Sequence, residues 1–348
     1  VLGLILSSIT NFSKPLFAPE VSSTDRQTQM GLEAFQRGDF EQAVLNWTEA
    51  SRLYERSGDI PQQCQALVNV SQADQALGRY KEAGKNLESA LALAEKAGDR
   101  TQLASVLGAL GNLYLATGTP DTAQKYLNEG LRIARELDNP ALSAVILNNL
   151  GNALTVQKKY SEAVLTYGQA VTLADSTNNP SLAARALTNT TAASMHNGQY
   201  KEAKALLDKA RDRIRALETS HDKAAGLINV GLAYSDLRTN LTDAKDSLSL
   251  AAFQSFTEAA RVAENIGARR GSSYAWGYLG KLYYEEHRHQ EALQVTRRAT
   301  FAAQQINAPE SLYRWEWQTG RLLRKTGMTV DAIGSYRRAV RTLQSDHP

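Results

Sequence analysis

The chain has 348 residues, of which 43% are hydrophobic and 22% charged, and this balance excludes a disordered polymer and leaves enough apolar material for a continuous core. Its formal net charge of +3 gives no global field for a nucleic-acid or membrane partner. A single cysteine, Cys64, rules out an intramolecular disulfide, a multi-thiolate zinc site and a CxxC redox pair.

At the N-terminus, the apolar run over residues 1–6 leads into a Ser/Thr/Asn stretch and then Phe17-Ala18-Pro19-Glu20. The run is too short to span a bilayer but reads as the end of a secretory signal, so residues 1–23 are expected to be a signal remnant or an N-terminal arm. Export to a periplasm or the outside follows from the first reading, and a cytoplasmic protein from the second.

From about residue 24 a forty-residue period takes over. One row of small residues reads Ala43, Ala83, Ala123, Ala163, Ala203, Ala252, Ala292 and Ala332. A second reads Ala50, Ala90, Gly130, Ala170, Ala210, Ala259, Ala299 and Ala339, and a third Gly31, Ser71, Gly111, Gly151, Thr191, Gly231, Gly280 and Gly320. A fixed period of this size marks a stacked-repeat protein, in which each unit buries its surface against its neighbours.

Between these landmarks apolar residues recur at helical spacing, as in Leu103, Val106, Leu107, Leu110, Leu113 and Tyr114. Pro140, Pro180 and Pro61 sit at first helical turns, and Gly58-Asp59 and Gly98-Asp99 pair a helix stop with an N-cap. Helices are thus predicted at about 24–37, 40–57, 60–77, 80–97, 100–117, 120–137, 140–157, 160–177, 180–197 and 200–219, with six more behind them. The units fall at about 24–59, 60–99, 100–139, 140–179, 180–219, 220–268, 269–308 and 309–345. Nine extra residues enter between Gly231 and Ala252, around 238–247, and must lengthen a loop or a helix of the sixth unit.

Small residues permit close helix approach, with Trp47, Leu87, Leu127, Tyr167, Leu207, Phe256 and Tyr336 filling the space between. The spacing Leu107, Leu110, Gly111, Tyr114, Ala123, Leu127, and again Trp276, Leu279, Gly280, Tyr283, Ala292, Ala299, resembles the tetratricopeptide repeat. The longer unit, with Glu55, Glu95, Arg135 and Asp175 where that repeat has Pro, is similar to the repeats of kinesin light chains. The resemblance implies an all-α fold, a right-handed α-α superhelix of about eight helix-turn-helix repeats whose first helices line a concave face. The stretch 309–323, followed by Ala332-Ile333 and 336–340, looks like the last repeats of bacterial proteins that carry a caspase-like CHAT domain after such an array. That family's catalytic pair is a His followed by a Cys; Cys64 precedes all five histidines, so the pair cannot be assigned to this chain.

Two sets of candidate binding residues emerge. Asn69, Asn149, Asn189 and Asn229 recur two positions before the third row, with Gln29 and Gln318 at the array's ends, and Asn112, Asn148 and Asn152 lie close by. A ladder of amides can pair with a peptide backbone whatever its side chains, and the kinesin-light-chain resemblance implies that use. The other reading has these amides bonding neighbouring helices and fixing the stack. The second set is the aromatic and basic C-terminal end, where Trp276, Trp315 and Trp317 gather with Tyr278, Arg321 and Arg324; Trp276, at the repeat's own Trp position, is read as packing. From Arg261 onward there are 14 Lys and Arg against 8 Asp and Glu, a balance of +6, so the first 260 residues carry about −3.

No phosphate loop, nucleophile elbow or carboxylate pair stands out, so no catalytic residue is expected. His287 and His289 in a polar turn are too few for a metal site, and no cofactor is implied. The expectation is a non-enzymatic scaffold holding a protein or peptide in its concave groove, with no nucleic acid and no stable membrane insertion. The alternative is the regulatory arm of a CHAT protease, with a downstream CHAT-like domain as partner.

Overall fold

The computed structural model describes residues 23–346, all of whose regular structure is helical. Sixteen helices follow one another in pairs: α1 (Ser23–Arg37), α2 (Phe40–Ser57), α3 (Ile60–Ala76), α4 (Tyr80–Ala97), α5 (Arg100–Ala116), α6 (Pro120–Glu136), α7 (Pro140–Val156) and α8 (Tyr160–Ser176). The second half continues with α9 (Pro180–His196), α10 (Tyr200–Ala216), α11 (His221–Leu237), α12 (Lys245–Asn265), α13 (Arg269–Glu285), α14 (His289–Gln305), α15 (Pro309–Lys325) and α16 (Thr329–Asp346). This is a tetratricopeptide-like solenoid of about eight helix-turn-helix units. The leader or arm expected over residues 1–23 lies, apart from Ser23, outside the described residues.

Local chemistry sets the boundaries. Asn139 and Asn179 accept the backbone N–H of Leu142 and Leu182 at 3.0 and 3.1 Å, with Pro next at the first helical position. At every turn but those after α10 and α11 the chain reverses through a residue of left-handed backbone. Most such positions are Gly, but Asp138, Lys158, Asn178, His287 and Asn307 take the same conformation with a side chain.

The rows of small residues are buried without remainder: Ala43, Ala83, Ala123, Ala163, Ala203, Ala252 and Ala292 are all 0% exposed. Against them pack Leu87, Leu127, Tyr167, Leu207 and Phe256, each fully buried and each contributing about 1.5–3 kcal/mol of transfer free energy. The close approach is real: a Cβ built on Gly151 would lie 2.4 Å from the Tyr167 ring.

Successive first helices from α3 to α15 touch one another, whereas the second helices make no comparable contact. The odd-numbered helices therefore form the inner, shorter-radius layer and line the concave face. The nine inserted residues lengthen both loop and helix. Chain after α11 runs through a 3₁₀ turn at Thr242–Ala244 into α12, which has 21 residues where α10 and α14 have 17. Arg238, buried in this insertion, is clamped by Glu285 and, at 2.6 Å, by Glu286 from the end of α13. The solenoid also turns far enough for the α1–α2 turn to meet the start of α11 and the α12–α13 turn, through Phe40, His221 and Ala268.

Candidate functional site

Two successive inner helices, α9 and α11, open a cavity of about 620 Å³ at their C-terminal halves. Thr188, Asn189, Ala192, Met195 and His196 face it from α9 and Asn229, Leu232, Ala233 and Asp236 from α11, with Tyr200, Thr239 and Asn240 closing its rim. Its size is that of an ordinary small-ligand or short-peptide pocket. The lining is an apolar floor with three amides, Asn189, Asn229 and Asn240, and one carboxylate, Asp236. His196 is stacked on Tyr160, with ring centroids 5.1 Å apart.

The amide row divides into tied and open members. Asn189 Nδ2 donates to Asn148 Oδ1 at 3.0 Å and to Asn152 Oδ1 at 3.1 Å, and Asn152 Oδ1 also accepts the Tyr167 hydroxyl at 2.7 Å. Asn148 Nδ2 donates to Asn149 Oδ1 at 3.4 Å. Asn112 Nδ2 donates to Gln75 Oε1 at 2.9 Å, and Asn69 Oδ1 accepts from Gln65 at 2.9 Å. Asn229 is exposed and lines the cavity. The structure thus brings together Asn148, Asn149, Asn152, Asn189 and Asn229 along α7, α9 and α11, and leaves Asn69 and Asn112 further down the row.

The C-terminal candidates do not form one patch. Gln318 Nε2 is turned inward, donating to Gly277 O at 3.0 Å and Thr296 Oγ1 at 2.8 Å. Tyr278 packs edge-on against buried Trp315 at 5.6 Å between centroids and lies against Phe256. Trp315 Nε1 donates to Ser273 Oγ at 2.9 Å, and Trp276 Nε1 to Glu264 Oε1 at 2.8 Å, so both rings serve packing. Trp317 is 50% exposed and leans on Tyr336 at 4.8 Å, the Arg321 guanidinium sits 4.5 Å from the Tyr284 ring centroid, and Arg324 is exposed.

Sequence reasoning missed Met195, His196, Tyr200 and Asp236. The signal was present: one step of seven along the same helix face leads from Asn189 to His196 and from Asn229 to Asp236. It also missed Arg185, one turn before Asn189 on α9. Arg185 is exposed yet flanked by protein, and this desolvation lowers its pKa, an effect the Asp222 carboxylate partly offsets. Among the described residues no cluster of metal-ligating side chains exists, and no helix is long and apolar enough to cross a membrane.

The chain is thus built of tetratricopeptide-type helix pairs, a class that is typically a non-catalytic interaction scaffold. Tetratricopeptide-repeat family models match residues 62–136 and 143–178. No curated protein sequence matches the chain. Among solved structures, it resembles a signal-transduction ATPase of the STAND type with a tetratricopeptide-repeat sensor, from Pyrococcus horikoshii, at 15% identity and a TM-score of 0.60. That match covers 92% of this chain and 47% of the other, so the chain spans about half of that protein. A Rap protein complexed with Competence and Sporulation Factor matches at 15% identity and a TM-score of 0.55, over 75% of each chain. Kinesin-light-chain-type repeats from Podosopora anserina match more weakly, at 20% identity and a TM-score of 0.42, over 54% of this chain and 92% of the other. At these identities the likeness is one of fold.

Proposed function

We propose that the protein is a non-enzymatic scaffold that holds an extended peptide segment on its concave face, over α9 and α11. The observation that carries this reading is the cavity itself, formed where two inner helices present amides at one face position and a lone carboxylate seven residues on. Asn189 spends its Nδ2 on α7, leaving Oδ1 for a peptide N–H, and Asn229 offers both groups. Asp236 favours a ligand with a Lys, Arg or amino terminus beside an apolar side chain that rests on Met195 and Leu232. A similarly folded Rap protein is solved with Competence and Sporulation Factor, which supports ligand binding as a use of this fold.

The test is selection of a random heptapeptide library on the purified protein, followed by fluorescence anisotropy. Basic, apolar peptides are expected to enrich. Asp236→Asn is expected to weaken them about tenfold and Asn229→Ala about threefold, while Gln169→Ala on the outer helix α8 has no effect. No enrichment, or equal binding by all variants, would sink the reading.

A second reading, the regulatory arm of a caspase-like CHAT protease, is favoured by the outer face of α16. Ile333, Val340 and Leu343 are 46%, 46% and 42% exposed, whereas Leu293 and Ala303, one period before Ile333 and Leu343, are 8% and 0% exposed beneath the next unit. The α16 face thus has the chemistry of a surface covered by a further helical layer. Coding sequence beyond Pro348 that carries a His and a later Cys is expected under this reading; a stop codon there would remove it. Export, expected from residues 1–6, is checked by fractionating cells that express the tagged full gene, with recovery only in the cytosol against it.

A further inference from the structure

Among the described residues, the first unit meets the sixth through a contact that no other repeat makes. At the α1–α2 turn, Gly38 has left-handed backbone, φ +77°, and a Cβ there would lie 3.1 Å from His221 Nδ1 and 3.7 Å from Ala268 Cβ. The equivalent Gly78, Gly118 and Gly198 face open space. Phe40 follows the same logic: it is 5% exposed and edge-on to the His221 ring at 5.2 Å, while Tyr80 one period later is 41% exposed.

His221 Nδ1 is shut away from solvent and has no hydrogen-bond partner. Its surroundings offer little to an imidazolium. The repeat-one side presents a phenyl ring and a glycine, flanked by Arg37 and by Asp39, whose carboxylate accepts the Gln42 N–H at 3.2 Å. The α12–α13 turn presents the Ala268 methyl. The Arg270 guanidinium on α13 is paired with Glu310. On α11 itself Asp222 is the one neighbouring carboxylate, and it accepts the Ser181 hydroxyl of α9 at 3.0 Å.

We infer that this contact is an acid-released latch: with His221 neutral the first repeat closes on the sixth, and with His221 protonated it lets go, turning a closed loop of repeats into an open superhelix. The charge balance agrees with the geometry. Burial pulls the His221 pKa down, Asp222 raises it and Arg270 lowers it. The closed state then binds fewer protons than the open one. Closure is therefore complete above histidine's ordinary pKa of about 6.5 and weakens as pH falls below it, by up to about tenfold per pH unit until the depressed closed-state pKa is passed.

The experiment is small-angle X-ray scattering of the full chain at about pH 8 and about pH 5, with far-UV circular dichroism on the same samples. The wild type is expected to expand reversibly at the acid pH with unchanged helicity, and His221→Phe to keep the compact radius at both. A wild type with one radius throughout, equal expansion of His221→Phe, or expansion accompanied by loss of helicity would each overturn the latch. A second variant guards against misfolding of the first: Gly38→Cys with Ala268→Cys puts two Cβ atoms at 3.7 Å, within disulfide range. Its oxidised form is expected to stay compact in acid and its reduced form to expand; acid expansion of both forms alike counts against the proposal.

Discussion

Asn189 on α9 reaches back across the inner face to Asn148 on α7, donating through Nδ2 at 3.0 Å, and the same nitrogen serves Asn152 at 3.1 Å. The two inner helices are thereby tied by side chains as well as by apolar packing. Asn189→Ala would strip the buried Asn148 Oδ1 of its donor, while Asn152 Oδ1 keeps the Tyr167 hydroxyl, and is expected to destabilise the array by about 1–3 kcal/mol. Asn229→Ala, at an exposed position of the same row, is expected to change stability by no more than about 0.5 kcal/mol. Urea midpoints of the two variants check this, and equal midpoints would mean that the tie contributes nothing.

The rows of small residues make a sharper prediction about volume. Gly151→Ala places a methyl 2.4 Å from the Tyr167 ring and is expected to destabilise by about 1–3 kcal/mol. Gly168→Ala, in mid-α8 with nothing within 4 Å of the new Cβ, is expected to stabilise by about 0.5–1 kcal/mol by restoring helix propensity. Thermal unfolding of the pair should move in opposite directions from wild type.

Arg238 anchors the insertion through two carboxylates at the end of α13. Replacing both partners, Glu285→Gln with Glu286→Gln, leaves its charge buried, for a loss of about 1–3 kcal/mol, less than for a dry pair because both carboxylates are about a third exposed. Arg238→Met removes the charge itself and is expected to be the milder change. Hydrogen exchange over 238–250 should rise more in the double variant than in Arg238→Met.

Glu316 is 4% exposed on α15, accepts the Thr342 hydroxyl at 2.9 Å and lies 3.7 Å from Arg338. Burial raises its pKa, with Thr342 and Arg338 pulling the other way. The folded state therefore holds this proton more tightly than the unfolded one, so stability from this site grows as pH falls through the raised pKa and is lost above it. Glu316→Gln is expected to be more stable than wild type at neutral pH, with the gap narrowing in acid. Melting temperatures from about pH 4 to pH 8 test the trend, and a gap that widens in acid would contradict it.

Much of the architecture was legible in the sequence because period and punctuation are local. Helices expected at 40–57 and 60–77 are found at Phe40–Ser57 and Ile60–Ala76, with the anticipated Asp59 capping the second. The amide row was legible as a row, but which members are tied depends on the distance between helices two elements apart. Gln318 shows the difference: the sequence sets it beside the amides, yet the α13–α15 gap turns it toward Gly277 O. The sequence placed the insertion around 238–247 but not the partners of Arg238, because its clasp by Glu285 and Glu286 depends on how α13 lies beside α11. Phe40 and His221 were beyond reach for the same reason, since their meeting depends on the summed rotation of several units.

The meeting of Phe40 with His221 also bears on how the molecule comes apart. A stack whose units touch only their neighbours frays from its ends, one unit at a time, with protection rising gradually toward the middle. Here the leading unit also leans on the sixth, so its loss uncovers apolar surface deep in the array and its exchange is coupled to that of α11. The first unit should accordingly share the slow exchange of α11 rather than fray ahead of it.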